Sequence, residues 1–535
     1  MLNMKTQNVL SLNSKEAMDF FMKSEQYHTF ELPEYFVFDE LLKYVRDCIG
    51  NKGYETCLKK NISPDSLSNV NLDILLNKDG HYAVRPIVLA NPFLYYFLVR
   101  EVCGNTNWDA IKNLFEKFTV PHISSCAIPV VPQTAEPFHK SATIFNWWNS
   151  MEQRALELSL EYRYMFVTDI TNCYGSVNPQ AFCWAFTLKD TPFQNSKNVQ
   201  IAKNIQKYLS AFQQGRNIGI PQGSTIFDFV GEIILGYSDL LLHLAIAKEG
   251  IKEKYEIIRY RDDYRIFCND KNVLERISYI LQQVLEGLNF RMNSQKTMIS
   301  DSIVTDAIKP DKLTYIYNTP IYSKKGVDFD SFEKHLLYIL MFARKYPDSG
   351  SVKTMLSDIY KRIEEHLKPY EEEVTYFTFD DEEPKTKRLM KTRRLPGGSV
   401  RAMSAICTQI ALENVNSSHY ALRVLSRIVE SLKDENEKWD IRAKVYERLC
   451  CQPNSSYNQL WLQNITYQRD KKDGVSPYTM RLCRLAALEK GVEIWNNEWL
   501  VPSFTKGIPY DSIINMEIIK QVTPVITFRE TRAYI

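Results

Sequence analysis

Apolar and polar residues along this chain change rhythm twice. Up to about residue 80 the pattern is mixed and largely helical, with aromatic-rich pieces such as Tyr35-Phe36-Val37-Phe38. From about 81 to 300, strand-like and helix-like runs alternate. Tyr164-Met165-Phe166-Val167-Thr168-Asp169-Ile170 reads as a short strand. Tyr255-Glu256-Ile257-Ile258-Arg259 and Tyr264-Arg265-Ile266-Phe267 read as the two arms of a β-hairpin, with Asp262-Asp263 at its tip. Beyond about 331, helical spacing takes over. Segments near 331–345, 351–367, 399–413, 418–433, 437–451, 456–465 and 476–490 carry apolar residues on one face, as Leu422, Leu425, Ile428 and Val429 do. The predicted organisation is an N-terminal helical extension over 1–80, an α+β unit over 81–320 and a helical-repeat-like all-α domain over 331–535.

Length and composition narrow this picture. A chain of 535 residues is longer than one core usually serves. With 44% hydrophobic and 24% charged residues and a formal net charge of +2, it is a globular protein rather than a globally basic binder. Any nucleic-acid contact is therefore expected in a local cleft. The eleven cysteines form no CxxC pair, and Cys450-Cys451 are adjacent, so reduced thiols rather than a zinc site are expected. The start, Met1-Leu2-Asn3-Met4-Lys5, has no long apolar run, and no stretch reads as a membrane span. The expected location is cytoplasmic, with no membrane partner.

A charge block interrupts the helical half. Glu371-Glu372-Glu373 and Asp380-Asp381-Glu382-Glu383 precede Lys385, Lys387, Arg388, Lys391, Arg393 and Arg394, before Pro396-Gly397-Gly398. The expectation is an exposed loop over about 371–398 whose halves attract; a basic nucleic-acid contact is the alternative.

Neighbouring carboxylates repel, so an exposed aspartate pair usually marks a solvated turn. Held rigidly in a site, Asp262-Asp263 would call for oxygen-ligated cations such as Mg²⁺. Three further segments bear on that choice. Asp169 ends an apolar strand, and Tyr174 follows five positions later in Thr168-Asp169-Ile170-Thr171-Asn172-Cys173-Tyr174-Gly175-Ser176; such an aspartate is often only a turn former, but it could also supply a third carboxylate. Gly219-Ile220-Pro221-Gln222-Gly223-Ser224 precedes an apolar helix that Ser224 could cap. Lys296 lies in Asn293-Ser294-Gln295-Lys296-Thr297, just after the helix that follows the hairpin, and is a candidate proton donor to a leaving phosphate.

In this order, Asp169…Tyr174, Pro221-Gln222-Gly223, Tyr260-Arg261-Asp262-Asp263 and Lys296 resemble motifs A, B, C and D of reverse transcriptases. The aspartate pair resembles the family's YxDD box. Upstream, Arg85-Pro86-Ile87 and Asn91-Pro92-Phe93-Leu94-Tyr95-Tyr96 resemble the fingers of bacterial members. The wording around Asp169 and the long helical C-terminus resemble the defence-associated and abortive-infection group, with retron and group II intron enzymes as the nearest relatives outside it.

The resemblance implies a right-hand polymerase with fingers and palm, the reverse-transcriptase fold, followed by the all-α domain. It implies an RNA-directed DNA polymerase that consumes dNTPs and makes DNA. Two Mg²⁺ ions, or Mn²⁺ in their place, would be held by Asp169, Asp262, Asp263 and the Ile170 carbonyl. Nucleotide contacts would come from Tyr174, Gln222, Gly223, Arg85 and Lys140. The Tyr174 ring would crowd a ribose 2′-hydroxyl. Arg261 departs from the small or apolar residue common at its position and would place a cation near a phosphate or the primer end. A non-coding RNA template, untemplated synthesis and priming from a protein hydroxyl (Tyr534 among 31 tyrosines) all stay open, and a homo-oligomer is expected. Two other classes fit the sequence less well. A HEPN-type nuclease fails on the spacing of Arg362 and His366. A catalytically silent RNA-binding scaffold is disfavoured by the intact carboxylate triad.

Overall fold

The computed structural model describes residues 6–78, 83–132, 148–323, 332–376, 385–395, 397–473 and 477–527. At its centre is a five-stranded sheet. Its strands are β1 (Ile123–Ser125), β2 (Tyr164–Asp169), β3 (Tyr255–Tyr260), β4 (Asp263–Cys268) and β5 (Met298–Ser300), in the spatial order β1-β3-β4-β2-β5. The expected hairpin is present as β3 and β4, joined by Arg261-Asp262 alone.

The strands read as near-continuous apolar runs because both sheet faces are covered. On one face Phe166, Ile257 and Ile266 join the main core. On the other, Met165, Ile258 and Phe267 pack with Met151, Leu158, Tyr162 and Ile303 in a smaller cluster. Successive residues of one strand thus enter different cores, as a period of two requires.

Helix α1 (Thr225–Lys248) and helix α2 (Lys271–Gly287) pack beside the sheet. By length and composition α1 is long and apolar enough to cross a membrane, with a mean hydropathy of 1.6. This corrects the expectation that no stretch reads as a span. The reason for its apolarity lies in the fold: 78% of its most apolar window is buried, and a helix surrounded by protein is apolar all round.

The helical half follows its apolar spacing. Helices run over Phe332–Lys345, Gly350–Leu367, Gly397–Glu413, Ser418–Glu430, Glu435–Cys450, Ser456–Asp473 and Arg481–Ala486. The charged block corrects an expectation. It is a two-stranded antiparallel ribbon, Pro369–Tyr376 against Lys385–Thr392, rather than a loop. The acidic and basic runs fall on opposite strands, so Glu373 faces and pairs with Arg388 at 3.0 Å, and Glu372 reaches Lys391 at 2.5 Å. The tip of the ribbon, 377–384, lies outside the described residues.

The chain then returns to its beginning. The Trp495 indole donates to the Leu89 carbonyl at 3.0 Å, and Asn91 donates to Asn497 at 2.8 Å. Backbone bonds run from Val37 to Ile513, from Lys59 to Trp499 and from Asn515 to Tyr35. Residues near 495–519 therefore complete the core of the N-terminal region. All eleven cysteines are free thiols.

Candidate active site

The sheet register builds the site. Asp169, the last residue of β2, lies directly opposite Asp263, the first of β4. Asp263 in turn faces Tyr260 across the hairpin. Paired residues share a face, so the two carboxylates meet at one sheet end. Asp262 sits in the two-residue turn, where its carbonyl accepts from the Ile170 amide at 3.1 Å. Asp169, Ile170, Asp262 and Asp263 are thus brought together by backbone pairing.

Lys296 arrives by the same means. The Asn293 amide donates to the Asp169 carbonyl at 2.9 Å, and Thr171 donates to Arg291 at 2.8 Å. The lysine Nζ then reaches Asp169 Oδ2 at 2.6 Å. Burial works against its charge, but the Asp169 carboxylate outweighs burial and holds the lysine pKa above its ordinary value.

The other Asp169 oxygen, Oδ1, is buried without a hydrogen-bond partner. Burial, and next the Asp263 charge, push Asp262 up to about 6. Burial also raises Asp263; Lys309 pulls against it and Asp169 adds to it. Among the described residues no group of three or more His, Cys, Asp or Glu side chains stands in a ready-made metal cage. The donors are nevertheless all oxygen, one is an orphaned buried acceptor, and the cluster carries mutually repelling acids. That set fits a hard divalent cation.

The Pro221-Gln222-Gly223 turn is pressed onto the fingers. The Val88 amide donates to the Gln222 carbonyl at 2.7 Å, and Thr29 donates to the Gly223 carbonyl at 2.9 Å. Gly223 has φ +129°, and a Cβ there would lie 2.5 Å from the Val88 carbonyl; only glycine fits. The Gln222 side chain is half-buried. Ser224 precedes α1, but its hydroxyl makes no capping hydrogen bond, contrary to expectation. Arg85 is part-exposed, with Nη2 4.0 Å from Asp348 of the helical half. Lys140 and Tyr534 lie outside the described residues.

Arg261, in the hairpin turn, is tied to α1. It adopts φ +53°, and its Nη2 donates to Asp228 Oδ2 at 2.7 Å. The cation is therefore paired with an acid of α1. Beneath it, Arg259 is fully buried. It forks to both Asp239 oxygens (Nε at 3.0 Å from each) and to Glu232 (Nη1 at 3.0 Å, Nη2 at 2.6 Å). Ser125 also donates to Glu232 at 2.5 Å. Sequence reasoning missed Asp228, Glu232 and Asp239. Their signal was available: three acids at spacings of four and seven share one stripe of a helix otherwise too apolar to carry charge.

Residues 111–319 match the family model described as reverse transcriptase (RNA-dependent DNA polymerase). The chain carries a reverse transcriptase domain. The matched residues hold every carboxylate of the site. No curated protein matches the chain. Among solved structures, apo telomerase from Candida tropicalis is 12% identical over 85% of this chain and 75% of that one, with a TM-score of 0.28. Telomerase from Candida albicans, in complex with a TWJ fragment of telomeric RNA, is 10% identical over 79% and 67%, also with a TM-score of 0.28. Apo Candida tropicalis telomerase truncated from its C-terminal domain is 15% identical over 50% of this chain, with a TM-score of 0.28; this chain covers 56% of it.

Proposed function

We propose that this protein is a Mg²⁺-dependent DNA polymerase of bacterial antiviral defence, extending a nucleic-acid or protein hydroxyl with dNTPs. The observation that supports the chemistry is the register that sets Asp169 opposite Asp263, with Asp262 in the turn beside them, inside a reverse transcriptase domain. Asp169, Asp262 and the Ile170 carbonyl are the residues to hold two Mg²⁺ ions, with Asp263 in support. Bound there, the ions would activate the attacking hydroxyl and neutralise the triphosphate. The chain's own residues do the rest. Lys296, kept charged by Asp169, can give a proton to the departing phosphate. The Gln222-Gly223 backbone, fixed against Val88 and Thr29, shapes the nucleotide side of the cleft. We assign to the Tyr174 ring the crowding of a ribose 2′-hydroxyl, and with it a preference for dNTPs.

The defence reading is supported by the wording from Asp169 to Ser176 and by the long helical C-terminus. A non-coding RNA template and untemplated synthesis are both compatible with the site, and a homo-oligomer in the cytoplasm is the expected form. The test is incubation of purified protein with Mg²⁺ and each labelled dNTP, with and without co-purified RNA. Product sequencing separates templated from untemplated synthesis, and label left on denatured protein reveals protein priming. Phage resistance that survives alanine at Asp262 and Asp263 would remove the polymerase reading.

A further inference from the structure

The turn between β3 and β4 is built around a residue that suits it badly. Arg261 is the first of the two turn residues and adopts φ +53°. Glycine, asparagine or aspartate ordinarily fills such a place in a two-residue hairpin, because a longer side chain crowds a left-handed backbone. Strain of this kind persists only where the surroundings over-determine it. Three hydrogen bonds do so here. The Arg261 guanidinium donates to Asp228 Oδ2 at 2.7 Å. The Arg261 carbonyl accepts from Arg259 Nη1 at 3.2 Å. The next carbonyl, that of Asp262, accepts from the Ile170 amide at 3.1 Å.

Asp228 leads to the other side of the cleft. It lies one turn into α1, where its amide donates to the Ser224 carbonyl at 3.4 Å. Ser224 directly follows Gly223, and the Gln222 and Gly223 carbonyls are fixed by the amides of Val88 and Thr29. The Arg261 side chain therefore joins the turn that carries Asp262 to the helix start that carries the Gln222-Gly223 loop.

We propose that Arg261 and Asp228 are positioning residues for nucleotide addition, whose ion pair sets the turn bearing Asp262 against the Gln222-Gly223 loop. This inference rests on the polymerase reading above. In that reading the aspartates serve the triphosphate and the loop shapes the nucleotide side of the cleft. Transfer requires both to be placed at once, and a misplacement of about 1 Å can cost roughly 10²-fold in rate. The pair acts through Asp262 and the loop, which explains why an arginine is kept where a small residue fits better.

A purely structural role is the competing account. Stapling the hairpin to α1 is already done, deeper and with more hydrogen bonds, by Arg259 with Glu232 and Asp239. Those bonds leave from strand β3, whereas the Arg261–Asp228 bond leaves from the turn itself.

The test is single-turnover dNTP addition by the full chain at saturating Mg²⁺, on the primer that the wild type extends. The active fraction is titrated and thermal melting is measured alongside. The set is wild type, Asp228→Asn, Arg261→Met, their double variant and Arg261→Lys. The maximal rate per active molecule is expected to fall about 10- to 100-fold in Asp228→Asn and in Arg261→Met, while the half-saturating dNTP concentration changes less than about threefold. The double variant should be no slower than the slower single one, because both lose the same link. Arg261→Lys keeps the charge and should restore part of the rate. Asp228→Asn keeps size and shape, so it reports even if Arg261→Met fails to fold. Wild-type rates per active molecule in Asp228→Asn and Arg261→Met, with only the melting temperature lowered, would overturn the inference and leave the polymerase reading standing. So would a raised half-saturating dNTP concentration at an unchanged maximal rate, which would make Arg261 a direct phosphate contact. A wild-type protein that adds no nucleotide would overturn the polymerase reading, and this inference with it.

Discussion

Lys296 Nζ lies 2.6 Å from Asp169 Oδ2. The acid keeps the lysine protonated, and the lysine offsets part of the negative charge that three neighbouring aspartates would otherwise leave unbalanced. Removing the amine should therefore touch chemistry more than folding. Lys296→Met is expected to slow single-turnover nucleotide addition by about 10²-fold, with little change in melting temperature. An unaltered rate would exclude Lys296 as the proton donor.

Asp262 is burdened by burial and by Asp263, which together lift it to about 6. At pH 7 its charge is a cost to the metal-free fold. Asp262→Asn should abolish DNA synthesis yet raise the melting temperature of the metal-free protein by about 2 °C, a stability–activity trade-off. Added Mg²⁺ should raise the melting temperature of wild type and not that of the variant. A calorimetric scan in chelator and in Mg²⁺ decides both points.

His335, on the helix Phe332–Lys345, is buried with Arg362 Nη1 2.8 Å from its Nδ1. Burial first, and then the Arg362 charge, push its pKa down to about 4 from the usual 6.5. Between those values the unfolded chain binds a proton that the folded one refuses, so this site's contribution to stability is full above pH 6.5 and is lost as pH falls toward 4. The wild-type stability lost between pH 7 and 5 should exceed that lost by His335→Leu. Equal losses of unfolding free energy in the two proteins, measured by urea unfolding at each pH, would show that His335 is not the titrating group.

Trp495 fills the N-terminal core from the far end of the chain, fully buried and bonded to the Leu89 carbonyl. Trp495→Ala is expected to destabilise by about 3–5 kcal/mol. Hydrogen exchange should quicken first in residues 83–103, next to the lost ring, rather than in the helices over 397–473. Uniform quickening would mean that the two regions unfold as one.

The palm was legible because its signals are local. Short runs of aromatic and β-branched residues marked the strands, and Asp169 and the aspartate pair stand at strand ends, where register alone brings them together. Apolar spacing marked the helices after 331, where each helix needs one buried face. What escaped depends on pairing between distant residues. Arg261 reads as a free cation until Asp228, on another element, is seen to hold it. The charge block reads as a loop until its two halves are placed in register, where their opposite signs favour a ribbon. The contacts of Trp495 and Asn497 with Leu89 and Asn91 carry no local pattern.

That last feature orders the events of translation. The palm strands are complete once the ribosome has passed Ser300, whereas the N-terminal core lacks Trp495, Trp499 and Ile513 until synthesis has passed Ile513. A nascent chain that stops short of Trp495 thus carries the aspartate cluster on its sheet beside an N-terminal core that still lacks two tryptophans. The aspartate cluster and the N-terminal core are finished roughly 200 residues of synthesis apart.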